Sequence, residues 1–83
     1  MSEAFKSHTG NIQILKAEVS ETLLTVHLSD ERIISVPLKK FSKLEYAVKS
    51  NQLDLANNLQ ISKSGYGIHW PDLDEDISIK AFL

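Results

Sequence analysis

His69 precedes four acids, Asp72, Asp74, Glu75 and Asp76, within the stretch GYGIHWPDLDED that runs from Gly65 to Asp76. A histidine beside carboxylates is an arrangement used in general acid and base catalysis, where the carboxylate orients the ring and the ring moves a proton. The same acids could offer oxygen ligands to calcium or magnesium. One reading is therefore a small metal-dependent or hydrolytic enzyme centred on His69 with Asp72 and Asp74. Against it, no serine, threonine or lysine pairs with His69 by a recognisable motif. The segment DLDEDISIKAFL also lacks the glycine and distal glutamate of an EF-hand loop. Neither a catalytic set, a metal set nor a cofactor is expected. The competing reading makes His69 a structural side chain bonded to a carboxylate or backbone group. Asp76 then caps a terminal helical turn, as acids at helix N-termini do.

A second chemistry is charge. Lys39, Lys40 and Lys43 fall on one side of an expected helix and could meet phosphates, giving a DNA-binding regulator as a third reading. Only one arginine, Arg32, is present, and the sequence shows neither a helix-turn-helix nor an aromatic platform. Nucleic acid is not the expected partner. The lysine face and the acidic corner are complementary in sign, so a second protein or a second copy could dock by charge steering. Tyr66 belongs to the same surface, because a tyrosine in a glycine turn is a usual interface anchor. Trp70 is expected to anchor the core.

These side chains need elements to hold them. IQILKAEV, TLLTVHL and RIISVPL are short runs rich in branched residues, separated by Ser20-Glu21 and by Ser29-Asp30-Glu31. They predict a three-stranded antiparallel meander. In the second run Leu24, Val26 and Leu28 share one face, with Leu23, Thr25 and His27 on the other. Pro37 ends the third strand and its fixed φ suits the first turn of a helix. Leu38, Phe41, Leu44 and Val48 then recur at helical spacing. Leu53, Ala56 and Leu59 form a second short helical pattern, with Asn51 as its N-cap and Asn57-Asn58 at its end. LQIS and IHW predict a C-terminal β-hairpin across KSGYG, where Gly65 and Gly67 can supply positive φ. Pro71 closes it, and ISIKAFL is a short terminal element. The expected fold class is α+β, with residues 1–11 as a flexible N-terminal arm and residues 12–83 as a single small domain.

Bulk composition narrows the function. A chain of 83 residues buries only about 60% of its unfolded surface, so a partner subunit would help its stability. There is no cysteine, which removes disulfides, thiolate nucleophiles and cysteine-ligated metals. Net charge is −2, distributed as three basic and five acidic groups over 1–36, four and one over 37–50, and two and five over 51–83. The start MSEAFKSHTG lacks the basic and apolar pattern of a secretory signal, and no run reaches membrane-spanning length. A cytoplasmic protein is expected, with no membrane contact.

The motifs FSKLEYA and GYGIHWPDLDEDISI make the chain from about Ile12 to Leu83 resemble a bacterial family, the domain-of-unknown-function family numbered 2442. The matching positions are Gly65, Gly67, Ile68, His69, Trp70, Pro71, Leu73, Asp74, Glu75, Asp76 and Ser78. Ser42 stands where the family pattern has proline, Glu31 where it often has glycine, and Leu59 near a position usually held by tryptophan. The resemblance implies a small α+β fold with no assigned catalytic activity. It also implies an accessory protein often encoded beside another small protein of unknown function, the family numbered 4160, in a toxin–antitoxin-like arrangement. The expected function is a non-enzymatic interaction module, an antitoxin-like partner of a small cognate protein encoded nearby, possible also as a homodimer. Its surface is expected at Tyr66, His69, Asp72, Asp74, Glu75, Lys39, Lys40 and Lys43, supported by Gly65, Gly67, Trp70, Pro71 and Asp76.

Overall fold

A computed structural model describes residues 12–83; the expected arm, residues 1–11, lies outside the described residues. The chain forms β1 (Ile14–Val19), β2 (Leu23–Leu28) and β3 (Ile33–Pro37), then a 3-10 turn (Leu38–Lys40), α1 (Ser42–Lys49) and α2 (Leu53–Ala56). It continues through β4 (Gln60–Ile61), β5 (Gly67–Trp70) and β6 (Glu75–Ser78) to a terminal 3-10 turn (Ile79–Phe82). This is the α+β class the sequence predicts. The strands make two three-stranded sheets, β1-β2-β3 and β4-β5-β6, all neighbours antiparallel.

In the first sheet period-2 alternation sets the faces. Leu24, Val26 and Leu28 point into the core, while Leu23, Thr25 and His27 lie on the solvent face. In β1, strict alternation would turn Lys16 and Glu18 inward with Ile14. A bulge between Ile14 and Lys16 shifts the register, so that Ala17 meets Val26 and Lys16 stays outside. One extra residue, Leu15, is the cost of keeping a lysine out of the core. The β2–β3 turn places Glu31 at φ 74°, in the left-handed region that favours glycine.

Both sheets turn their apolar faces to one core. Leu24, Leu44, Ala56 and Trp70 are fully buried there, joined by Ile14, Ile68, Ile77 and Phe82. Burying each large apolar side chain contributes about 1.5–3 kcal/mol. The Trp70 indole N–H donates to the carbonyl of Ala56 at 2.7 Å, so the largest core side chain also fixes the end of α2. Asn57, which follows α2, accepts from the Val19 N–H at 2.8 Å and donates Nδ2 to the Val19 carbonyl at 2.9 Å. That side chain thereby imitates a strand partner at the end of β1. At the other end of β1, the Ile14 N–H donates to the Gly65 carbonyl at 2.7 Å.

Four local expectations are corrected. Pro37 ends β3 as expected, but its ψ of 137° keeps it extended, so it precedes the 3-10 turn as its N-cap and does not form a helical first turn. The predicted single helix from Leu38 breaks at Phe41, whose backbone at φ −129°, ψ 89° is not helical. Lys39 and Lys40 therefore sit on the 3-10 turn and Lys43 on α1, not on one shared helix face. Asn51 is not the cap of α2. It adopts φ 63° just beyond the end of α1, and Gln52 precedes α2; asparagine tolerates the left-handed turn that stops a helix. Finally, the C-terminal hairpin gains a third strand. Asp76 lies within β6 opposite His69, and the terminal turn is capped by Ser78, whose hydroxyl accepts from the Lys80 N–H.

Candidate functional site

The solvent face of the second sheet follows from its register. Gln60, His69 and Asp76 form one row across the three strands. The next row is small: the Ser62 N–H donates to the Gly67 carbonyl at 3.0 Å, and Gly67 pairs with Ser78. A row without bulk beside a row of long polar side chains leaves a depression. It is a hollow of about 460 Å³, lined by Gln60, Tyr66, Gly67, His69, Asp76 and Ser78. Gly67 is its floor. Gly67 has no positive φ, and a Cβ there would meet only the Ile77 carbonyl at an ordinary 3.4 Å. The glycine is therefore not demanded by backbone sterics; what it leaves open is the hollow.

Gly65 is different. It does adopt φ 77°, and a Cβ on it would lie 2.6 Å from the Gln13 Cβ. Both the turn and the crossing of β1 require glycine. Gln13 Nε2 also donates to the Ser64 carbonyl at 2.9 Å, so the turn that borders the hollow is tied to the first sheet.

His69 Nδ1 lies 2.7 Å from Asp76 Oδ1 across the β5–β6 ladder. The pair sits on the surface, with side-chain exposures of 43% and 78%. Asp76 thus fixes the ring and keeps its second oxygen available to a donor from outside.

The other acids do not join this pair. Asp72 Oδ2 accepts from Asn58 Nδ2 at 2.6 Å. Asp74, at φ 51° in the β5–β6 turn, offers its carbonyl to Lys43 Nζ at 2.8 Å. Glu75 is half-buried opposite Trp70, and Pro71 is exposed at the start of the turn. Among the described residues no three histidine, aspartate or glutamate side chains converge as a metal set. The hydrolytic grouping of His69, Asp72 and Asp74 is thus not assembled.

The lysines are also dispersed. Lys43 bridges to the acidic turn, so the basic and acidic segments adjoin within one molecule. Lys49 pairs with Glu45 at 3.4 Å, and Arg32 with Asp30 at 2.7 Å. Tyr66 is partly exposed at the rim of the hollow, its N–H held by Ser62 Oγ at 3.1 Å.

Sequence reading missed Gln60, Ser62 and Ser78 on this face. The alternation in EDIS was the available signal: with Ile77 inward, Asp76 and Ser78 must point outward on a strand. It also missed Tyr46, which is 72% exposed beside a groove with Ser42, Lys43, Asp72 and Leu73. Core positions Leu44 and Ala47 place Tyr46 on the opposite side of α1 at 100° per residue.

All of these groups lie at the surface. Among the described residues no polar or charged side chain is fully buried, and no helix is long and apolar enough to cross a membrane. A family model described as protein of unknown function (DUF2442) matches residues 14–83. No curated protein and no solved structure matches the chain.

Proposed function

We propose that this chain, which belongs to the DUF2442 family, is a non-enzymatic interaction module of the cytoplasm that receives a basic side chain of a small partner protein in the second-sheet hollow. The observation that carries this reading is the hollow itself, floored by Gly67 and edged by Asp76. One Asp76 oxygen is committed to His69, and the other faces solvent. A carboxylate pre-positioned in this way accepts a charge-assisted hydrogen bond from lysine or arginine at little ordering cost. The neighbouring Asp72, Asp74 and Glu75 add negative potential that steers such a partner.

The partner we propose is the small protein encoded beside this one, in an antitoxin-like arrangement. Co-expression tests it. A tagged chain should carry the neighbouring gene product through affinity and size-exclusion steps, and Asp76→Asn should release it. If no complex forms and the neighbour is harmless when expressed alone, the reading is wrong.

A further inference from the structure

We infer that the solvent face of the first sheet pairs with the same face of a second copy of this chain. The register gives that face a self-complementary pattern. On one side of the Ala17–Val26–Ile34 row lies Lys16–His27–Ile33, and on the other Glu18–Thr25–Ser35. A two-fold axis running across the strands along the middle row exchanges those two rows. Lys16 then faces Glu18 of the second copy, and Glu18 faces its Lys16. The same rotation sets Ile33 over Ser35 and His27 over Thr25, and brings Leu15 towards Leu23 of the other copy.

Such an isologous contact is the usual form of a homodimer, and face-to-face sheets are a standard packing. The face has the apolar content it needs. Leu15 and Ile33 are each 63% exposed and Leu23 37%, on a sheet face that no element of the described chain covers. The β1 bulge is what lets Leu15 and Lys16 both lie on this side. Apolar positions flanked by two reciprocal Lys16–Glu18 pairs along the β1 edge would give both affinity and a fixed orientation.

The contact is independent of the hollow, so either can fail alone. Sedimentation of the full chain from micromolar to sub-millimolar concentration should show a monomer–dimer equilibrium. Ile33→Glu should weaken the dimer by about tenfold or more, as desolvating a charge does at an interface. Lys16→Glu and Glu18→Lys should each weaken it several-fold, and the double exchange should restore it, because the pair is then reversed on both copies. Thermal melts accompany each variant, with Ile33→Ser replacing any that fails to fold. A monomer throughout the range, a dimer indifferent to Ile33 substitution, or a double exchange no better than the single changes would overturn the inference.

Discussion

Both sheets have three antiparallel strands and turn an apolar face to the same core, yet their solvent faces are built differently. The first sheet has strands of six, six and five residues that alternate in β2 and β3 and are interrupted in β1 by the one bulge, and its outer face is a broad surface of mixed side chains. The second has strands of two, four and four, too short to be stable alone. It is held by attachments from outside, the Trp70 indole on Ala56 and the Gly65 turn on β1, while the Ile79 N–H on the Tyr66 carbonyl at 2.8 Å extends its own β5–β6 ladder. The weaker sheet bears the more specific surface. Short strands between tight turns allow a glycine floor and a cross-strand His69–Asp76 pair to stand close together, which a long regular ladder of branched residues does not.

That contrast can be broken first at the core. Trp70→Ala should destabilise the protein by about 3–5 kcal/mol, measured by urea unfolding. The same experiment on Leu24→Ala, its counterpart in the first sheet, should cost about 2–5 kcal/mol. A Trp70 variant with an unchanged midpoint would show that the second sheet does not depend on its anchor.

Asn57→Ala comes next. It leaves the Val19 N–H and carbonyl without their side-chain partner, at about 1–3 kcal/mol, and amide exchange at Val19 should accelerate. Protection equal to wild type would mean that the side chain does not act as a strand substitute. Gly65→Ala should cost about 1–3 kcal/mol through its left-handed backbone and the clash with Gln13. Gly67→Ala, two residues on, should change stability by no more than about 1 kcal/mol. Equal losses at the two glycines would erase the distinction between a turn glycine and a floor glycine. Smallest of all, His69→Ala should alter stability by about 0–1 kcal/mol, since exposed ion pairs contribute little; a larger loss in the melt would assign the pair a structural role.

The two regions also differ in how far the sequence reveals them. The meander was legible because TLLTVHL alternates over a full strand, and its burial pattern repeats the alternation residue by residue. The helix from Leu38 was legible in its buried face but not in its break, because the departure at Phe41 has no punctuating glycine or proline. In the second sheet the turn at Gly65 could be read, but β6 could not be told from a capped helical turn. DEDIS suits either, and tertiary pairing with β5 decides it. The hollow was the least legible feature. It arises from Ser62, Gly67 and Ser78 standing side by side, a juxtaposition of residues distant in sequence that only strand register creates.

The most direct test fills the floor. Gly67→Val adds bulk to the hollow at a position where a strand accepts it, leaving Asp76 and His69 unchanged. Titrated by calorimetry against the neighbouring gene product, wild-type chain should bind and Gly67→Val should lose at least about tenfold in affinity, or about 1.4 kcal/mol, with its melting temperature retained. Binding of the folded variant as tight as wild type would contradict the assignment of the second-sheet hollow as the binding surface.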